Sequence, residues 1–246
     1  MTLPALDGLK RSILSMQVKL AECRRSLQVD FPWYPYDTLA NLQHLEPILT
    51  PELMRLFGPG RRLADIGTAD GDFAFFLESV GNRCDVYDNP PTNMNGMRGI
   101  HALKTALGSN IGVNALDLDQ QFTIGGRYDA VFFLGILYHL KNPFYVLERL
   151  AAVSSHLFLS TRVARRFTPT GEDVSGLAAS YLVGPTELNG DATNFWIFSE
   201  TGLRRLIDRT GWDVLGFRTL GDTVGSLPNS NEHDERAFAI LGSRLV

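Results

Sequence analysis

Leu63-Ala64-Asp65-Ile66-Gly67-Thr68-Ala69-Asp70-Gly71-Asp72 is the stretch on which the fold of this chain turns. Its first four residues are a short, mainly apolar run of strand length. The glycines that follow let the backbone turn sharply and pass close to a ligand without a Cβ in the way. Phe73-Ala74-Phe75-Phe76-Leu77-Glu78-Ser79-Val80 then continues as a helix. Strand, glycine turn and helix in that order open a βαβ unit, and the amino terminus of such a helix has free N–H groups.

Working outward, strand-like runs recur at Arg83–Asp88, Ile111–Ala115, Ala130–Leu134, His156–Ser160, Trp212–Phe217 and Ala237–Leu241. Helical stretches fall between most of them, at about 97–107, 143–152 and 199–210, the last with Ser199 as its N-cap. Strands separated by helices call for an α/β fold: a Rossmann-like, seven-stranded, mostly parallel sheet with helices on both faces. In the upstream segment, Leu6, Leu9, Ile13, Met16, Leu20, Cys23 and Leu27 repeat every three or four residues and mark one face of a helix. The expected organisation is an N-terminal helical and aromatic extension over 1–58 and a ligand-binding domain over 59–246. Within that domain, an aperiodic insertion at about 161–198 faces the substrate side. The helix stripe either docks on its own domain or pairs with a second chain as a homodimer.

The charge of the glycine turn selects among nucleotide ligands. A dinucleotide would seat its pyrophosphate at this helix terminus. Asp65, Asp70 and Asp72 crowd the same place and oppose it, whereas a ligand ending in a cationic amino acid is favoured there. S-adenosylmethionine (SAM) carries both an ammonium and a sulfonium. Seventeen residues past Gly71, Asp88 closes the second strand beside Asn89, where a carboxylate can accept ribose hydroxyls. Asp117, next to Leu118 after the third strand, is placed to take an adenine amino group, with Asp119 as competitor.

These residues, with Tyr128-Asp129-Ala130-Val131-Phe132-Phe133-Leu134-Gly135-Ile136-Leu137-Tyr138-His139-Leu140, resemble the class I SAM-dependent methyltransferases over about 61–243. The last run is similar to a subgroup containing the tRNA wobble-uridine carboxymethyltransferases and relatives that act on small molecules. The resemblance implies that Gly67, Thr68, Ala69 and Gly71 cradle the methionine part with Asp65 nearby. It also implies that Asp88 and Asn89 hold the ribose, that Asp117 and Leu118 hold the adenine, and that Leu134 and Gly135 flank the cofactor. S-adenosylhomocysteine (SAH) would be the product. Ala69 departs from the family's usual glycine, a change of little cost if φ stays negative there. The carboxymethyl subgroup holds its extra carboxylate with a Tyr, a late Arg and an amino-terminal Lys. Tyr138 and Arg236 match the first two, but no lysine lies between Lys19 and Lys104, which disfavours carboxy-SAM and favours SAM.

His139 and Tyr138 follow a strand end, where ligands sit in open α/β sheets, and are the candidate catalytic pair. His139 could take a hydroxyl proton or merely anchor its loop. Trp33 and Tyr34, Arg162, Asn194 and Trp196, and Arg236 are the candidate substrate contacts. The reading is methyl transfer to a small-molecule acceptor, most simply oxygen, with a tRNA modifier and a non-catalytic SAM-binding module as alternatives. Net charge −4 and a pI near 5.7 disfavour nucleic acid, although Arg162, Arg165 and Arg166 form a small basic cluster. No metal site is expected from two isolated cysteines, Cys23 and Cys84, and no apolar run is long enough to span a membrane. The opening MTLPALDGLKRS lacks signal-peptide order, so a cytoplasmic location is expected.

Overall fold

The computed structural model describes residues 3–168 and 171–246, with side chains from residue 7 onward. The side chain of Leu6 in the amino-terminal stripe, the first two residues of the opening segment, and Pro169 and Thr170 of the insertion lie outside what is described. The chain forms two compact units, 1–132 and 133–246.

In the first unit, β1 (Arg62–Ile66) lies between β2 (Arg83–Asp88) and β4 (Ala130–Leu134), and β2 pairs with β3 (Gly112–Ala115). All three pairings are parallel. Leu63, Ala64, Asp65 and Ile66 are all buried, as expected of a strand covered on both faces, so its apolar residues run on instead of alternating. Helices α4 (Asp72–Ser79) and α5 (Arg98–Leu107) are the helices read from the sequence, and α4 packs on β1 and β2. Phe73, Phe75 and Phe76 of α4 are fully buried, and Phe73 meets Phe132 with ring centroids 4.6 Å apart.

Upstream, α1 (Leu3–Ser26) packs against α4 and α5 and buries Met16 and Leu20 of the stripe. The stripe is therefore in contact with its own unit. The segment 38–57 folds as short helical turns, including α2 (Asn41–Leu45) and α3 (Pro51–Met54). Thr50 caps α3 by accepting from Leu53 N.

In the second unit, β5 (His156–Val163) pairs antiparallel with β9 (Glu235–Ser243), which in turn pairs antiparallel with β8 (Trp212–Gly221). The insertion is not wholly irregular. It contributes β6 (Ser180–Leu182) and β7 (Trp196–Phe198), with β7 parallel to β5. Helices α6 (Pro143–Ala151) and α7 (Glu200–Arg209) complete the unit, and Ser199 caps α7 as expected, accepting from Gly202 N. All seven strands read from the sequence are present, and the fold is Rossmann-like α/β.

Candidate functional site

The glycine turn leaves the carboxyl end of β1, where Gly67 N donates to Tyr87 O of β2. Gly71 is required twice over. Its φ is +87°, and a Cβ there would fall 2.6 Å from the Ile100 side chain. Ala69 also has positive φ, +55°, which corrects the expectation of a cheap alanine. An L-residue with a Cβ pays about 1–2 kcal/mol in this region.

That conformation is held from both sides. Ala69 N donates to Asp88 Oδ2 at 3.2 Å, and Asn93 Nδ2 donates to both Asp88 Oδ2, at 2.9 Å, and Ala69 O, at 3.4 Å. Asp88 Oδ1 accepts from Asn89 N at 2.8 Å. Burial pushes Asp88 up, while these donors pull it down. Its Oδ1 retains acceptor capacity for a ribose hydroxyl. Asp117 is half-buried and accepts from Asp119 N at 2.9 Å, and Leu118 beside it is buried.

The three acids of the turn have different partners. Asp70 accepts from Tyr34 N at 2.8 Å and from Asn95 Nδ2 at 2.7 Å. Asp72 is ion-paired with Arg24 of α1, whose guanidinium is also 3.7 Å from Asp70. The acidity that the sequence displays is thus partly neutralised from within. Asp65 differs: it is 5 % exposed, and its one side-chain hydrogen-bond partner among the described residues is Thr68 Oγ1 at 2.7 Å. Burial first, then repulsion from Asp88 and Asp72, pushes its carboxyl up to about 7 against that hydrogen bond. A buried carboxylate without a cation suits an ammonium, and a pyrophosphate would only add negative charge. The residues of this turn fit SAM.

The aromatic segment before residue 37 braces the same loops. Tyr34 Oη accepts from Met94 N at 2.8 Å, and burial pushes its phenol up to about 12. Trp33 stacks edge-on with Phe31 and lies beneath the Arg24 guanidinium. Asn93 and Asn95 are marked by no local pattern, and Arg24 stands out in the sequence only as half of a small basic pair with Arg25, with nothing to place it at the turn.

In the second unit, Gly135 has φ +80° and donates to Ser160 O, next to Leu134 at the end of β4. The turn Leu137–His139 follows, with the Tyr138 and His139 rings 4.2 Å apart. His139 Nδ1 lies 3.0 Å from Thr193 Oγ1 and 3.2 Å from Thr193 O, and its Nε2 bonds to none of the described residues. Burial pushes the imidazole below its usual range, as does Arg236, while Asp191 and the Thr193 backbone oppose them.

The other candidate contacts divide into two kinds. Arg162 is 3 % exposed, donates to Ser230 O at 2.6 Å, and has Nε 3.0 Å from Asp234 Oδ1 without hydrogen-bond alignment. Arg165 makes a two-pronged bond to buried Glu235, so the basic cluster is not an open patch. Asn194 is buried and donates to Leu188 O and Asp191 O. Arg236 is exposed on β9 and bonds to Asp234 Oδ2 at 3.0 Å, while half-buried Trp196 donates to Lys141 O at 3.2 Å.

A parallel β3-β2-β1-β4 order, a glycine turn after β1, an acid closing β2 and an antiparallel last strand beside β5 define a class I SAM-dependent methyltransferase. The chain belongs to the methyltransferase-domain family, whose model matches residues 42–216. No curated protein matches the sequence significantly. Among solved structures, the N-terminal domain of EvdMO1, determined with SAH and D-fucose, is similar at 17 % identity and TM-score 0.56, over 93 % of this chain and 95 % of that one. The [4+2]-cyclase SpnF is similar at 12 % identity and TM-score 0.58, over 96 % and 97 %. TehB from Haemophilus influenzae is similar at 14 % and 0.54, over 83 % and 62 %. These likenesses concern the fold, and the cyclase among them shows that the fold alone does not fix a reaction. No described helix is long and apolar enough to cross a membrane.

Proposed function

We propose that the protein transfers the methyl group of SAM to a hydroxyl oxygen of a small molecule, with His139 as general base. One observation carries this reading. Thr193 O can only accept a hydrogen bond, so at 3.2 Å from His139 Nδ1 it favours the proton on Nδ1. The lone pair of the neutral ring then lies on Nε2, which is unengaged among the described residues. A lowered pKa keeps the ring neutral near pH 7, ready to accept a hydroxyl proton.

When bound, SAM supplies an electrophilic methyl group and leaves as SAH. The chain's own part is to hold the cofactor and take the proton. Asp65 receives the ammonium, the 67–71 turn follows the methionine part, Asp88 and Asn89 take the ribose, and Asp117 and Leu118 face the adenine. Leu134 and Gly135 carry the family's cofactor-flanking role. Trp196 and Arg236 are the substrate contacts we retain. Arg162 and Asn194 we assign to the scaffold, because their polar groups hold the protein itself. Arg162 and Arg165 are engaged internally, which weighs against the tRNA reading.

The test is methyl transfer from tritiated SAM to a panel of phenols, sugars and amines, with His139→Gln as control. Saccharides enter the panel because of the D-fucose in the EvdMO1 structure. Labelled oxygen esters or ethers that vanish in the variant are expected. Transfer to amines alone, or undiminished turnover in His139→Gln, would refute the proposal.

A further inference from the structure

We propose that Asp191 and Thr193 are positioning residues that form, with His139, a three-member hydrogen-bonded relay orienting the base for proton abstraction. The inference rests on the reading of His139 as base and adds what sets its tautomer and basicity. Asp191 Oδ1 accepts from Thr193 N at 2.8 Å and from Thr193 Oγ1 at 2.6 Å. The hydroxyl hydrogen of Thr193 is thereby committed to the carboxylate. Its oxygen can present only lone pairs to His139 Nδ1, 3.0 Å away. Two acceptors on one residue, the hydroxyl and the carbonyl, thus converge on one ring nitrogen, and both require Nδ1–H.

The loop that carries these groups is fixed to the turn that carries the histidine. Asn194 N and Nδ2 both donate to Asp191 O, and Phe195 N donates to Tyr138 O at 2.8 Å. Asn189 and Gly190 take left-handed φ values of +58° and +62°, which turn the chain sharply just before Asp191. The relay is therefore part of a braced structure.

The relay also acts electrostatically. The groups that bear on the imidazole are the Asp191 carboxylate, which favours the protonated ring, the Arg236 guanidinium, which disfavours it, and the Tyr138 ring tilted against it. As the acceptor hydroxyl gives its proton to Nε2, the O–H electron pair would become the new O–CH3 bond, the electron pair of the broken S–CH3 bond would stay on the sulfur of departing SAH, and the ring would become a cation. Asp191 is placed to favour that cation through the Thr193 hydroxyl. The Nδ1 proton and the Thr193 proton stay where they are.

The test uses the full chain labelled with 15N and long-range 1H–15N spectra of its five histidine rings, with His139→Gln identifying the signal. In the unaltered protein we expect the Nδ1–H tautomer at neutral pH. Asp191→Asn removes the charge that favours the cation, so the His139 midpoint should move down. Thr193→Val should move it down as well, and Thr193→Ser should restore it. A structural role for the two residues would leave the midpoint in place while lowering thermal stability.

An Nε2–H tautomer in the unaltered protein overturns the relay with no variant needed. An unmoved or raised midpoint in a folded Asp191→Asn protein also overturns it. The spectra need no acceptor. If the tritium assay finds no oxygen methylation while the tautomer and the midpoints are as expected, it is the function that fails and the relay geometry that stands.

Discussion

Asp65→Asn separates the two things a buried carboxylate does here. Among the described residues Asp65 has no cation, and burial pushes its carboxyl from 3.8 to about 7. The folded state therefore keeps its proton to higher pH than the unfolded chain. The stability linked to this group is full at low pH and is lost as pH rises through about 7. The loss amounts to about 4 kcal/mol at most, since each pKa unit is worth about 1.4 kcal/mol. Asparagine keeps an acceptor for the Thr68 hydroxyl and removes the charge. The ligand-free variant should thus unfold at higher denaturant than the parent at pH 8 and match it more closely at pH 5.

Cofactor binding should change in the opposite sense. If only the ionised carboxylate takes the ammonium, the apparent affinity of the parent for SAH rises with the ionised fraction. Between pH 6 and pH 7.5 that is a gain of about eightfold for a midpoint near 7. Losing a charge-assisted hydrogen bond of about 1.5–3 kcal/mol weakens SAH binding by about 10- to 150-fold in the variant. It should also flatten the pH dependence. Isothermal titration calorimetry at pH 6, 6.5, 7 and 7.5 reads both effects. A parent Kd that is flat over this range would refute the assignment of Asp65 to the ammonium, and so would a variant that keeps the slope.

Three further substitutions test how the site is built. Arg24→Ala leaves Asp72 and Asp70 buried without their cation and should cost about 3–5 kcal/mol at pH 8. Less should be lost at pH 5 than at pH 8, because burial already pushes the Asp72 carboxyl up and removing the opposing Arg24 charge pushes it further; urea unfolding at both pH values checks this. Ala69→Gly relieves the Cβ strain at φ +55° but frees the unfolded chain, so a net change between zero and about 1 kcal/mol of stabilisation is expected by thermal unfolding. A loss above 1 kcal/mol would mean the methyl group packs usefully. Arg162→Ala should destabilise by about 2–4 kcal/mol through the loop at Leu227–Asp234 while leaving retention of bulk tRNA on filters unchanged. A large fall in tRNA retention that steepens at low salt would revive the nucleic-acid reading.

The strands were legible because each satisfies a local rule. The apolar run at Ala130–Leu134 reads as a strand in isolation and is one, and the Ser199 cap marks the start of α7 in the sequence itself. The three-residue strands Ser180–Leu182 and Trp196–Phe198 were not legible, because a run so short has no period to detect and its pairing is set by distant partners. The same distinction divides the site. Asp65, Asp88 and the glycines stand out by type and spacing. Arg24 does not: it meets Asp72 across 48 residues of sequence, and nothing near it announces an acid. Asp191 and Thr193 lie between these extremes. An Asp two residues before a Thr is a recognisable Asx turn, but its orientation toward His139 depends on a contact 54 residues away.

Ala69 shows why that non-local part matters for function. An alanine at φ +55° is unfavourable by itself, and a peptide of this sequence has no reason to adopt it. Here the conformation is over-determined. Asp88 takes the Ala69 N–H, Asn93 reaches the Ala69 carbonyl and Asp88 together, and Asn95 and Tyr34 fix the neighbouring Asp70. The loop is thus held by side chains from β2 and from the 89–97 loop and by a backbone N–H of the amino-terminal segment. Two of the acids that seemed to await a cationic ligand are among the groups that hold it. Among the described residues, Asp65 is the one acid of the turn that the network leaves without a cation, and the proposed function gives it to the ligand. On this reasoning the specificity of the turn lies in which of its acids is left uncompensated, and the number of acids matters less.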